Sequence, residues 1–202
     1  MKENRNPMYK NFFSEEEYFK KIGQVKMIKS ASSLQPGDLC PEITLTNHRG
    51  EEVNLTAMLK NKNIVLFFYP GDKEGLRYPE LIGCTPQACN FRESMTQFEK
   101  NNTIIYGVSF QPTEKQKAFA QREGLNFEIL SDKEQRLAKA LGISIWQTSS
   151  KKEEFPVRQT YIIAQGGIIK KIYEDIDSNE INEHVLNVLA CVKKLNAAAK
   201  FI

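Results

Sequence analysis

Two cysteines, Cys84 and Cys89, stand five positions apart in ELIGCTPQACNFRE (residues 80–93), at the start of a helical pattern. Such a pair can clamp a metal, bridge two segments, occur by chance, or cycle between thiol and disulfide. Zinc sites draw on two close cysteine pairs or on paired histidines, and the two histidines here, His48 and His184, lie far apart. A plant-type iron–sulfur spacing needs another cysteine three positions after Cys89, where Arg92 sits. The spacing argues against metal, and no cofactor is expected.

The helix that carries the pair shapes its chemistry. In CTPQACNFRESMTQFEK, Cys84, Ala88, Phe91, Met95 and Phe98 recur at steps of four, three, four and three, forming one core-facing stripe. Pro86 suits a first helical turn and Thr85 an N-cap. Cys84 therefore lies at the helix N-terminus, or one residue before it, on the buried side. Backbone N–H groups and the positive end of the dipole favour a thiolate there. Five residues of helix turn through about 500°, leaving Cys89 about 140° around the axis from Cys84 and about 7.5 Å along it. A disulfide needs Cα atoms within about 7 Å and side chains that converge. Either the first turn, opened by Gly83 and Pro86, unwinds on oxidation, or the bond never forms.

The elements that hold this helix alternate along the chain. EITLT and the stretch after HRG read as short extended pieces; NIVLFFYP and TIIYGVSF are continuous apolar runs, as in strands buried on both faces. NFEIL, QTYIIA and GIIKKIYE follow, the last two joined across Gln165-Gly166 as a hairpin. Helices lie between. One is capped from Thr113 to Gln116 and closes at Gly124; another runs from Ser131 to Gly142. The last starts near Ser178, with Ile181, Val185, Val188, Leu189, Val192 and Leu195 on one face. The class is α/β: a mostly parallel sheet with a terminal antiparallel hairpin and helices on both faces.

A chain of 202 residues is sized for one domain. Residues 1–35 read as an extension, with a short helix at the Ser14–Glu17 capping spacing and the connector SASSLQPGD; residues 36–202 form the domain. A net charge of +3 is too mild to imply a nucleic acid or membrane partner. The first residues carry no apolar run of signal-peptide length. The expectation is a soluble cytoplasmic protein whose four cysteines are free or catalytic.

GCTPQACNFRE resembles the active-site stretch of the peroxiredoxins, in the bacterioferritin-comigratory-protein or Q-type branch. The likeness extends to PGDLCPEITLTNHRGEEVNL, IVLFFYP, IIYGVSFQPTEKQKAFAQREGLNFEILSD and VRQTYIIAQGGII. The resemblance implies a thioredoxin-like fold and a thiol-dependent peroxidase acting on hydrogen peroxide or organic hydroperoxides. It makes Cys84 the attacking sulfur, which becomes a sulfenic acid, and Cys89 the resolving thiol. Arg158 takes the place of the arginine that holds the thiolate and the peroxide oxygens. The implied partner is a thioredoxin- or glutaredoxin-like reductant, and the implied state a monomer or weak homodimer.

The chain departs from the pattern ahead of Cys84. The branch has a threonine or serine three residues before the cysteine and a proline seven before; here these are Leu81 and Arg77. Pro70 can fill the proline's place, across a longer connection spanning 71–83. Leu81 supplies no hydroxyl, and loss of one oriented donor costs about ten- to a thousandfold in rate; Thr85 or Tyr78 could substitute. The alternative function is a peroxiredoxin-like scaffold with little peroxidase activity, sensing redox state or binding a partner through the loop and the N-terminal helix. A general thiol–disulfide oxidoreductase is disfavoured by the absence of C-x-x-C. Cys40 and Cys191 read as small buried hydrophobes. His48 reads as an exposed turn residue, His184 as a helix-surface residue, Arg92 as a structural anchor, and Trp146 as a cap on the loop before Arg158.

Overall fold

A computed structural model describes residues 25–30, 33–71, 84–148, 153–174, 176–177 and 180–199, with backbone alone for Val25, Cys84, Ala198 and Ala199. The expected helix at Ser14–Glu17, the residues Arg77, Tyr78 and Leu81, and the Cys84 side chain lie outside the described residues. The elements in chain order are β1 (Val25–Ile28), β2 (Thr44–Asn47), β3 (Glu52–Asn54), α1 (Leu55–Leu59), β4 (Asn63–Phe68), α2 (Cys84–Lys100), β5 (Thr103–Ser109) and α3 (Thr113–Arg122). There follow β6 (Glu128–Ser131), α4 (Arg136–Leu141), β7 (Ile145–Thr148), β8 (Glu154–Pro156), β9 (Gln159–Ile163), β10 (Ile169–Tyr173) and α5 (Ile181–Ala199).

β4 organises the core. All six of its residues are buried between β9 and β5. Successive side chains point to opposite faces of the sheet. Ile64, Leu66 and Phe68 join a cluster with α1 and α4, whereas Val65, Phe67 and Tyr69 join one with α2, α3 and α5. Helices therefore cover both faces, as the α/β reading requires. The α2 stripe packs as expected, with Ala88, Phe91, Met95 and Phe98 all buried. So does α5, where Ile181, Val185, Val188, Leu189 and Val192 are buried. Among the described residues, no helix is long and apolar enough to cross a membrane.

The main sheet runs β10-β9-β4-β5-β6-β2-β3, and it is mixed rather than mostly parallel. Parallel pairing is confined to β4–β5 and β5–β6, the two steps bridged by the helical crossovers α2 and α3. β9–β10 and β2–β3 are hairpins laid antiparallel against that centre. The β9–β10 turn places Gly166 and Gly167 at φ 87° and 93°, which glycine alone adopts without strain.

The short extended piece after HRG is β3, and the Asn54 side chain that ends it accepts from Ala57 N–H at 2.8 Å and caps α1. Three local expectations change. α3 has no capping box: Gln116 is wholly buried and its Nε2 donates to Ser109 Oγ and Leu130 O. α4 begins at Arg136, not Ser131. The Ser131 hydroxyl donates to Gln111 O, and the buried Asp132 accepts from the backbone N–H groups of Leu137 and Ala138. ISIWQTSS contributes a strand, β7, at the centre of a separate antiparallel sheet ordered β1-β7-β8.

Candidate active site

The C-terminal end of β4 and the first turn of α2 bound the site. Tyr69, Pro70 and Gly71 leave β4 buried. Gly71, at φ 146°, lies so close to Gln111 that a Cβ would meet its amide carbon at 2.9 Å, so only glycine fits. α2 starts at Cys84 and continues unbroken to Lys100. Cys84 and Cys89 thus share one helix, and Cys89 is a free, half-buried thiol.

Arg158 reaches the same place from the other side. β9 runs antiparallel to β4 with Gln159 opposite Phe68, so the residue before β9 sits beside the end of β4. Arg158 is 1% exposed and donates from Nη1 to the Gln87 side-chain oxygen. Gln87 is fully buried three residues after Cys84, and residues three apart share a helix face with Cβ atoms about 5–6 Å apart. A guanidinium is therefore fixed beside the first turn of α2, the turn that Cys84 begins. Gln87 was missed in the sequence. The signal was a polar residue inside the apolar stripe, three after Cys84 and four before Phe91.

Behind Arg158 stands a second unforeseen group. His184 is 7% exposed, not a surface residue. Its Nε2 lies 3.0 Å from Thr160 Oγ1, and the rings of Phe91 and Tyr173 meet it edge-on. Burial, with Arg158 adding to it, pushes its pKa down to about 4, so the imidazole is neutral at neutral pH.

Cys89 faces away, toward the end of α3. Its Sγ donates to Glu123 Oε2 at 4.0 Å, and Arg92 Nη1 donates to the Glu123 carbonyl, the structural anchoring expected of Arg92. The other two cysteines are remote from α2's first turn. Cys40 donates its N–H to Gly167 O in the β9–β10 turn, beside the N-terminal end of β4, and burial raises its thiol pKa to about 11. Six strand residues, about 20 Å, separate that end from the site. Cys191 is half-buried against the core at the side of Tyr173. His48 is half-buried and bonded to the backbone of Ile129 on β6, not exposed and not at the site. Trp146 is 4% exposed on β7, opposite Phe155 of β8, the hairpin that leads into Arg158.

Comparison with known proteins finds relatives in both sequence and fold. Residues 36–172 match the model of the AhpC/TSA family. The chain is 34% identical to a chloroplastic peroxiredoxin Q of Sedum lineare over 69% of its own length and 68% of the relative's. It is 31% identical to the peroxiredoxin Bcp of Escherichia coli strain K12, over 77% of this chain and 96% of that one. Its fold is that of a Xanthomonas campestris bacterioferritin comigratory protein studied for alkyl peroxide reduction, with a TM-score of 0.64 and 22% identity over 76% of this chain and 92% of that one.

Proposed function

Because this chain belongs to the AhpC/TSA family, as a thiol peroxidase of the peroxiredoxin Bcp and Q branch, we propose that Cys84 is its peroxidatic sulfur, Cys89 its resolving thiol and Arg158 the cation that serves both sulfur and substrate. The observation that carries this reading is the Arg158–Gln87 bond, which ties a buried guanidinium to the first turn of the helix that Cys84 begins.

The chemistry follows from charge. The start of α2 and the Arg158 guanidinium both stabilise a Cys84 thiolate. That sulfur attacks one peroxide oxygen. The O–O bond breaks, the departing oxygen leaves as water or an alcohol after taking a proton, and Cys84 becomes a sulfenic acid. A fixed, forked guanidinium also stabilises charge on the departing oxygen, where a flexible ammonium would not hold it in place. Neutral His184 takes no proton in this scheme. The substrates are hydrogen peroxide and organic hydroperoxides, in line with the alkyl peroxide reduction of the Xanthomonas relative.

Disulfide formation closes the cycle. The first turn of α2 unwinds, Cys89 meets Cys84, and a dithiol of the thioredoxin or glutaredoxin type reduces the bond. A cytoplasmic location, where such donors are kept reduced, belongs to this reading, as does a monomeric or weakly dimeric state.

Stopped-flow oxidation tests the assignment. Cys84→Ser should abolish the fast reaction with peroxide. Arg158→Lys, which keeps the charge but loses the fork, should slow it about ten- to a hundredfold. Peptide mapping after oxidation should recover a Cys84–Cys89 linkage. Undiminished peroxide consumption by Cys84→Ser, or a Cys84 linkage to Cys40 or Cys191, rejects it. A parent rate no better than free cysteine would favour a redox sensor over an efficient peroxidase, with Leu81 as the reason.

A further inference from the structure

We propose that Glu123 is a latch on the resolving thiol: by accepting the Cys89 S–H at the end of α3, it keeps Cys89 protonated and docked, and so sets the rate of the resolving step. The inference rests on the assignment of Cys89 above and deepens it.

The contacts make a built seam. Glu123 Oε2 lies 4.0 Å from Cys89 Sγ, while Oε1 accepts from Arg122 Nε at 2.8 Å. Arg92, one turn beyond Cys89, donates to the Glu123 carbonyl, and its own carbonyl accepts from Asn126 Nδ2 at 3.3 Å. The Cys89–Glu123, Arg92–Glu123 and Asn126–Arg92 contacts tie the Cys89 side of α2 to the end of α3. The Glu123 side chain is 18% exposed, so its charge is partly shielded from water.

Among the described residues, four charged groups bear on Cys89 or on its acceptor. On α2 they are Arg92 and Glu93; at the end of α3 they are Glu123 and its partner Arg122. Burial raises the Cys89 pKa first; Arg92 works against that, and Glu123 and Glu93 add to it. Resolution runs the other way. The Cys89 sulfur must give up its proton and attack the Cys84 sulfur. An S–S bond forms, the sulfenic S–O bond breaks, and the hydroxide leaves as water with the proton Cys89 released. Cys89 is oxidised and the sulfenic sulfur reduced, with no further reactant. Holding the thiol neutral and docked delays this step and lengthens the life of the sulfenic acid.

The test is single-turnover oxidation with one equivalent of hydrogen peroxide, quenched by alkylation and read by peptide mass. Disulfide formation is timed against the preceding oxidation of Cys84. Glu123→Gln keeps the size and an acceptor but removes the charge. It should form the Cys84–Cys89 bond about three- to tenfold faster at neutral pH, with the pH profile displaced downward by about half to one unit. Less sulfinic Cys84 should build up under excess peroxide. Glu123→Asp draws the carboxylate back by one methylene and should move both readouts the same way, by less. Alkylation of Cys89 against pH in a Cys84→Ser background, with and without Glu123→Gln, reads the thiol with no oxidation step; its midpoint should fall. If the parent forms the bond and Glu123→Gln leaves its rate and profile unchanged, or slows it, the latch alone is overturned. If the parent never links Cys84 to Cys89, the resolving assignment and the latch fall together.

Discussion

Arginine carries five donors and no acceptor, so whatever accepts from Arg158 decides where its charge points. Gln87 does this from α2, and the requirement fixes the amide: its oxygen faces Arg158, and its NH2 faces the other way, with no partner among the described residues. Gln87→Leu should therefore do two things. It takes the acceptor from a buried guanidinium N–H, lowering stability by about 1–3 kcal/mol, and it removes the hold of α2 on Arg158, slowing Cys84 oxidation about tenfold. Gln87→Glu restores the acceptor and should recover most of the rate. Urea unfolding and stopped-flow oxidation measure the two effects; a Gln87→Leu protein as fast as the parent would remove Gln87 from the site. At this scale the sequence was partly legible. Cys84, Cys89 and Arg158 carry signals in residue type, spacing and motif, and Gln87 broke an apolar stripe. His184 broke a stripe in the same way, three after Ile181 and four before Val188, but was read as a surface residue. Glu123 gave no such sign, because a glutamate closing one helix meets Cys89 only where two helices converge.

Elements were legible where burial imposes a period. The continuous run of β4 and the stripes of α2 and α5 were read correctly, because a strand buried on both faces and a one-sided helix each leave a pattern. The β1-β7-β8 sheet was not. Its strands are three or four residues long, and β1 pairs with a partner more than a hundred residues away, Val25 opposite Thr148, which no local pattern encodes. α4 was misplaced at its start because the capping group, Asp132, stands outside the usual spacing and bonds N–H groups five and six residues on. The small sheet has a functional consequence. β1 packs on β7, β7 on β8, and two residues after β8 comes Arg158; Val157 N–H donates to Ser144 O at 2.9 Å just before it. Deleting residues 1–30 should loosen that brace. The emission of Trp146, the chain's single tryptophan, should shift to the red, and Cys84 oxidation should slow about three- to tenfold. Unchanged emission and rate would show that β7–β8 holds Arg158 without β1.

The whole molecule gathers around β4, which divides the interior into two apolar clusters. His184 belongs to the cluster beneath the site, and its burial makes the stability of the entire fold depend on pH. In the unfolded chain an imidazole titrates near 6.5; folded, this one titrates near 4. Between those values the unfolded state binds more protons, so the unfolding free energy rises with pH. The contribution is present above about pH 6.5, is lost as pH falls toward 4, and amounts to on the order of 3 kcal/mol. Asp132 acts oppositely. Burial raises its carboxyl above the usual range despite the backbone N–H groups it accepts, so acid favours the folded form there. A comparison with His184→Gln cancels that second effect, because Asp132 is present in both proteins. Glutamine does not titrate and keeps an amide within reach of Thr160. Urea midpoints taken from pH 7 to pH 4.5 should fall steeply in the parent and more shallowly in His184→Gln, so that the two curves converge at the acid end. Parallel curves would mean that His184 takes up its proton at the same pH folded and unfolded, so that burial beside Arg158, Thr160, Phe91 and Tyr173 does not disfavour the imidazolium.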